Sequence, residues 1–440
     1  MLAHTDPVRH AARRAAYLAS LGCDAALVVA PHHHHRNADS EYRYRQCSDL
    51  FYLTGWEDPE VVALFRPHSD LPFVLFVQPK DPEREVWTGV REGVAGAKER
   101  YGADAAFPIG ELGARLAQLL QGYETLHYQF GDDSALDGQV TSTIRGYHKV
   151  ANRNGAPLPW RFVDPGRALG EMRLVKEPGE IELLREAGRI SAEAHALAMR
   201  TGRPGVHEYE VEAAVDGHFR KKGGNGPGYT TIVGGGKNAC ILHYITNREP
   251  LKKGDLCLVD AGCEYRYYTA DITRTFPVSG KFSGAQKDLY NVVLAAQLDG
   301  IDCARAGRPF RDMHDVAIRR LAEGLVELGF FGGEADVDEV IVDERYRKYY
   351  MHGTGHWLGL DVHDAGAYWH GFASRPLEAG MVLTVEPGLY IPADDTDAPK
   401  AFRGLGIRIE DDVHVTTGEP DVLTAGCPKT VKEVEAACRG

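Results

Sequence analysis

The stretch LCLVDAGCEYRYYTADITRTF, from Leu256 to Phe276, constrains the fold more than any other part of the chain. Two apolar, β-prone runs flank a short polar tip at Glu264 to Tyr267, the pattern of a β-hairpin. With Tyr265 and Arg266 as a two-residue loop, Asp260 lies directly opposite Asp271, their Cβ atoms roughly 4.5–5.5 Å apart on one face. Two carboxylates held that close among apolar neighbours repel each other and lose hydration. The hairpin therefore needs a cation, a shared proton or a different register. A lone aspartate reads as an exposed strand end, whereas a matched pair points to a metal ion.

Further donors of the same kind lie downstream. MHGTGHWLGLDVHD, from Met351 to Asp364, brings His352, His356 and His363 together among glycines. MVLTVEPGLYI ends an apolar strand on Glu386, immediately before a Pro-Gly turn. GLGIRIEDDVHV alternates so that Arg408, Glu410 and Asp412 share one face while Ile407 and Ile409 take the other. Taken alone, Arg408 and Glu410 read as a solvated strand face with a side-by-side ion pair. Taken together, Asp260, Asp271, His356, Glu386 and Glu410 form an oxygen-rich set with one imidazole. That set carries too much negative charge for one ion and suits two divalent metals such as manganese, cobalt or zinc. Ions bridged by carboxylates sit roughly 3.5–4 Å apart, where they can activate one shared water and polarise a carbonyl.

A chain of 440 residues exceeds what one ordinary core organises, and 43% hydrophobic with 26% charged residues is the balance of a soluble globular protein. The first third alternates short strands with helices: a helix near Val8 to Leu21, strands at Ala25 to Pro31, Val61 to Arg66 and Leu71 to Val77, and a helix around Glu111 to Leu120. The domain boundary falls near Asp164 to Lys176. It precedes an amphipathic helix with Pro178 in its first turn and Glu180 and Glu182 at the positive end of its dipole. We expect an α/β domain over residues 1–170 and an α+β domain over 171–440. Within the second, R-x-G-R-P occurs at Arg200 to Pro204 and again at Arg305 to Pro309, each time ahead of a helical stretch. His243 follows the first helix and His352 the second, which suggests two related halves with a site between them.

Several function classes are excluded. The longest apolar runs are strand-sized, short of the roughly 18 residues a spanning helix requires. The first residues lack the continuous apolar core of a signal peptide, and a cytoplasmic setting is expected. The eight cysteines form no CxxC pair and read as buried reduced thiols. A formal net charge of −13 without a basic stripe makes nucleic acid and anionic membranes poor partners. His32 to His35 read as a solvated loop, and the glycine-rich Gly226 to Asn238 lacks the Lys-Ser/Thr of a phosphate loop. Within it, a packed core tyrosine and one that hydrogen-bonds behind the site fit Tyr229 equally well. Trp87 reads first as a half-buried strand residue, with an exposed contact residue as the alternative.

The strings VDAG with ADITRTFP, HGTGHWLGLDVHD, LEAGMVLTVEPGLYI and RGLGIRIEDDV jointly resemble the pita-bread metallopeptidases of the aminopeptidase P type. The likeness extends to YRYRQCSDLFYLTGW, Tyr42 to Trp56, and so covers nearly the whole chain. The resemblance implies a pita-bread catalytic domain with pseudo-twofold halves behind a smaller α/β domain. It also implies two divalent ions, manganese first, with cobalt or zinc as alternatives. By the resemblance, Asp260 and Asp271 hold the first ion, Asp271 and Glu410 bridge, and His356 and Glu386 hold the second. Glu386 doubles as acid and base. His243, His352 and His363 act as catalytic non-ligand histidines, and His352, His363, Tyr390, Arg408 and Tyr229 lie on the substrate side.

The implied reaction releases the first residue of Xaa-Pro-Yaa peptides by attack of a bridging hydroxide. A bond before proline is a tertiary amide whose nitrogen carries no N–H, and the ring restricts the preceding residue. Metal polarisation and a histidine able to protonate the leaving nitrogen suit that bond. Proline-containing peptides are then the partners, and a homo-oligomer of two or four subunits is expected. The alternatives are a prolidase confined to Xaa-Pro dipeptides and a non-catalytic pita-bread binding protein. A creatinase-like hydrolase would dispense with the metal ligands present here, and methionine aminopeptidases lack so large an N-terminal domain.

Overall fold

In the computed structural model, which describes residues 6–154, 157–332 and 335–439, the apolar runs of the first third form the middle of a six-stranded sheet. Its strands lie in the order Ala105–Pro108, Phe73–Val77, Val62–Phe65, Ala25–Val29, Thr125–His127 and Arg161–Val163. The three innermost pairings are antiparallel, antiparallel and parallel, and the two outer ones are parallel. Val62–Phe65 and Phe73–Val77 are buried at every position, as strands without polar alternation must be when both faces are covered. Helix Pro7–Leu21 starts where the Asp6 side chain accepts from the Val8 and Arg9 amides and Pro7 takes the first helical position.

Trp87 does not lie in a strand. Asp81 caps the helix Pro82–Thr88, none of whose residues is buried, and Trp87 is 88% exposed on it. The turn chemistry of Asp-Pro overrides the β propensity of Val86 and Trp87.

The chain divides into two units, Met1–Gly170 and Glu171–Gly440. The second opens with helix Pro178–Thr201, which carries Pro178 at its start and a capping box between Glu177 and Glu180. The R-x-G-R-P strings occupy matching places. Each links two helices, Pro178–Thr201 to Glu208–Lys221 and Gly284–Cys303 to Arg311–Glu327. In one half the Gly205 amide donates to the Leu251 carbonyl and the Leu251 amide to Val206, and in the other Gly307 donates to Leu377 and Leu377 to Arg308. Gly254 and Gly380 then turn the chain with φ of +94° and +97° into the strands Leu256–Asp260 and Val382–Val385. The same count of residues beyond each leucine reaches Asp260 in one half and Glu386 in the other.

The hairpin at Leu256 to Phe276 forms with a register different from the expected one. Arg266 and Tyr267, both with positive φ, make the loop, and Tyr265 pairs with Tyr268. Asp260 therefore pairs with Thr273, not Asp271. Neither loop residue is the Asn or Gly that marks such a turn, so nothing in the loop composition selects the register. Gly262 decides it: a Cβ there would lie 1.6 Å from the Ala270 carbonyl oxygen, an approach open only to glycine.

Candidate active site

Asp260 and Asp271 still share one face, as diagonal neighbours across the hairpin. The Tyr229 hydroxyl joins them, 2.7 Å from Asp260 Oδ1 and bonded also to Asp271 Oδ1. Of the two readings of Tyr229, the hydrogen bonder behind the site is the one observed. Arg408 Nη2 donates to the other Asp260 oxygen, Arg408 Nη1 to the Tyr390 hydroxyl at 2.9 Å and Arg408 Nε to Thr273 Oγ1 at 3.0 Å. The Thr273 hydroxyl in turn donates to Glu410 Oε2 at 2.6 Å. Arg408 and Glu410 are thus 4% and 2% exposed, and the solvated strand face expected from the pair in isolation is not what forms. Packing of the second strand pair on the first covers it: the Glu410 amide donates to the Thr273 carbonyl, and the Arg408 amide to Thr275 Oγ1.

His356 and Glu386 come from the other half. Gly355 passes so close to the Thr384 carbonyl that a Cβ would lie 1.9 Å from its oxygen, and the His356 amide donates to Thr384 Oγ1. This seats His356 Nε2 3.5 Å from Asp271 Oδ2 and 3.6 Å from Glu386 Oε1. Ligand atoms of Asp271, His356 and Glu410 lie within 4.8 Å of one another. These groups line a cavity of about 470 Å³ together with the apolar side chains of Ile232, Leu242, Ile245 and Val362.

Crowded, desolvated acids hold their protons. Burial pushes Glu386 up to about 7, partly offset by His356 and Arg408. Burial and the neighbouring Asp271, Glu386 and Asp260 raise Glu410 far above the usual carboxylate range, and Asp271 is raised by burial and Asp260. Burial alone would lower His356, but the adjoining Asp271 and Glu386 carboxylates raise it to about 9. Four carboxylates facing one arginine and one histidine make a donor set short of positive charge. Its hard oxygen donors and single imidazole fit a divalent cation in chemistry and spacing.

The remaining histidines differ from one another. Burial lowers His352 to about 4, and both its nitrogens are engaged: Nε2 lies 2.8 Å from the Tyr390 hydroxyl and Nδ1 2.7 Å from the Gly353 carbonyl. Because Tyr390 already accepts from Arg408, its hydroxyl donates to His352 Nε2, which leaves the proton on Nδ1. His243 and His363 are exposed on the cavity wall, His363 edge-on to His356 at 4.5 Å between ring centroids. Every expected site residue except Tyr390 lines the cavity, and Tyr390 stands one hydrogen bond behind it. Sequence reasoning missed Thr273, Thr384 and Asp412, whose carboxylate accepts from the Asp271 amide at 3.1 and 3.2 Å. The only signal for Asp412 was its place in the Arg408, Glu410, Asp412 alternation.

Comparison with known proteins gives this arrangement its family. Residues 182–417 match the model of "Metallopeptidase family M24". The chain belongs to metallopeptidase family M24. Residues 10–128 match "Aminopeptidase P, N-terminal domain". The M24 chain is 44% identical to the Xaa-Pro aminopeptidase of Escherichia coli (strain K12) over 414 residues, 94% of this chain and 93% of that one. It is 34% identical to human Xaa-Pro aminopeptidase 3, covering 95% of this chain and 81% of that one. Among solved structures, Pseudomonas aeruginosa aminopeptidase PepP superposes with a TM-score of 0.96 at 44% identity, over 99% of this chain and 98% of that one. A zinc-substituted E. coli aminopeptidase P in complex with product gives 0.95 at 42% identity, over the same shares. The fold is the expected one, an α/β N-terminal unit followed by an α+β pita-bread unit, and membership of a metallopeptidase family makes the enzyme metal-dependent.

Proposed function

We propose that the carboxylate-lined cavity hydrolyses the bond between an N-terminal residue and a following proline. The chain is an Xaa-Pro aminopeptidase, as its close relatives are named. The observation that carries the reading is the cluster of buried Asp260, Asp271 and Glu410 with half-buried His356 and Glu386 in the lining of one cavity. In it Asp260, Asp271 and Glu410 would hold one divalent ion and Asp271, His356, Glu386 and Glu410 would hold a second, since four carboxylates exceed the charge of one. Manganese suits the oxygen-rich set, with cobalt or zinc as substitutes.

Bound ions supply Lewis acidity toward the scissile carbonyl and acidify the attacking water. Glu386, placed beside His356 at the acidic part of the cavity, takes that water's proton on its carboxylate and returns it to the leaving nitrogen. His243 and His363 donate to the developing oxyanion from the cavity wall. His352, held neutral between Tyr390 and Gly353, forms with Arg408 the face against the proline side of the scissile bond, and Tyr390 steadies both from behind. Tyr229 orients Asp260 and Asp271. The free α-amine of the peptide pairs with the acidic end of the cavity and limits cleavage to the first bond.

No described helix is long and apolar enough to cross a membrane, and all eight cysteines are free thiols, which supports a cytoplasmic setting. Val86, Trp87 and Val90, all more than 80% exposed, support assembly into a dimer or tetramer. The deciding experiment is hydrolysis of Xaa-Pro, Xaa-Pro-Yaa and Xaa-Ala-Yaa by metal-stripped protein before and after Mn²⁺ is added. Release of Xaa from Xaa-Pro-Yaa only after Mn²⁺ supports the reading. Activity confined to Xaa-Pro makes the protein a prolidase, and no activity on any of the three overturns a peptidase role.

A further inference from the structure

His314 belongs to none of the strings that carry the resemblance; it sits on helix Arg311–Glu327. Its Nδ1 lies 2.8 Å from Thr354 Oγ1, and the same oxygen lies 2.6 Å from the Tyr350 hydroxyl. Thr354 is 3% and Tyr350 1% exposed, and His314 is half-buried beside them. A threonine hydroxyl has one proton and two lone pairs, and these two neighbours engage it from both sides.

The place of Thr354 in the chain gives the contact its weight. It stands midway between His352 and His356, and its own carbonyl accepts from the Glu386 amide at 2.8 Å. One residue therefore touches the placement of three site groups. The segment from Met351 to His356 lies in no strand or helix, and backbone bonds reach it only from its Thr354 end onward, where the Thr354 and His356 carbonyls accept from the Glu386 and Thr384 amides at 2.8 and 2.9 Å. Packing leaves room beside it. A second cavity of about 200 Å³, lined by His314, Tyr346, Arg347, Tyr350 and Met351, meets the catalytic cavity at His352 and Gly353. The bonds to the Thr354 side chain add to these backbone bonds in fixing the loop, whose ordering costs free energy that directed contacts must offset.

We infer that His314 is a positioning residue of this enzyme: through the Thr354 hydroxyl, with Tyr350 as the second anchor, it fixes the loop that presents His352 and His356 and supports Glu386. The inference rests on the peptidase reading for its activity readout, and on the metal-stripped protein for an independent one. The neutral His314 ring accepts or donates at Nδ1 equally well, so an amide placed at the same point can replace it. The edge of Tyr350 against the His352 ring, 4.9 Å between centroids, completes the contact between anchor and loop.

The test compares His314→Leu and Thr354→Val, which delete the bond, with His314→Asn and Thr354→Ser, which can remake it. Two quantities are read: kcat and KM on Xaa-Pro-Yaa with Mn²⁺, and calorimetric Mn²⁺ affinity of the metal-stripped protein. The deleting variants are expected to lose about tenfold in kcat with KM changed less than about twofold, and to bind Mn²⁺ about tenfold more weakly. The conservative pair stays within about threefold of wild type, and the double variant His314→Leu/Thr354→Val is no worse than either single one. Wild-type values in both deleting variants overturn the inference, and so do equal losses in deleting and conservative variants or losses that add in the double variant. Should a deleting variant fail to fold, Tyr350→Phe, which removes one hydroxyl, is judged by the same two readings. If wild type cleaves no peptide, the function falls, and the Mn²⁺ affinities still decide the role of His314.

Discussion

Tyr229 shows how a neutral side chain can govern a charged site. Its hydroxyl bonds to both Asp260 and Asp271, and removing it frees two crowded carboxylates to turn away from each other. Tyr229→Phe is therefore expected to weaken Mn²⁺ binding by about 10–100-fold while leaving the thermal midpoint nearly unchanged, as calorimetry and a melting curve would report. Asp364 acts the other way, by compensating charge. Its carboxylate is 1% exposed, lies 2.9 Å from the equally buried Lys176 ammonium and also binds Arg173. Those two cations hold it below the usual carboxylate range despite its burial. Asp364→Ala leaves the buried Lys176 ammonium without this carboxylate, while Arg173 keeps Asp361 at 2.7 Å, and about 3–5 kcal/mol of stability should disappear in denaturant unfolding. The motif residues were legible because each is chemically unusual for its surroundings, as an acid in an apolar strand is. Thr273, Thr384 and His314 were not, since a threonine in a strand and a histidine on a helix are ordinary until their partners are seen.

At the level of elements, the hairpin carrying Asp260 and Asp271 was recognisable and its register was not. Alternation and turn composition are satisfied by a loop at Tyr265 and Arg266 as well as by the observed Arg266 and Tyr267. What separates them is the approach of the two strands at Gly262, where the Ala270 carbonyl fills the space of a side chain. Gly262→Ala should cost at least about 3 kcal/mol and reduce Mn²⁺ binding, because relief of the clash moves Asp271. A variant that melts like wild type and keeps its metal affinity would refute this account of the register. The strand ending at Glu386 shows the same economy: Gly355 lies against Thr384 and delivers His356 to the acids.

For the molecule as a whole, acid should loosen both units in one pH window. His10 in the first unit and His195 in the second are each lowered by burial to about 4 from an ordinary 6.5, partly offset by hydrogen bonds to the carbonyls of Tyr52 and Ala261. The unfolded chain takes up protons that the folded one refuses, so their contribution to stability is complete above pH 6.5 and shrinks as the pH falls toward 4. Each is worth on the order of 3 kcal/mol, and His10→Phe and His195→Phe should flatten the fall of the melting temperature over that range. The proposed assembly belongs to this scale too: with Trp87 in a subunit contact, Trp87→Glu is expected to sediment as smaller species than the wild type. The sequence alone pointed to two units, to two related halves in the second and to the acids and histidines that line the cavity, because chemical type and periodicity are local properties of the chain. Only the tertiary structure decided the register of the hairpin, the burial of Arg408 and Glu410, and the tie from His314 to the catalytic loop. These depend on which backbone passes within an atom's width of which, and residues far apart in sequence set that distance.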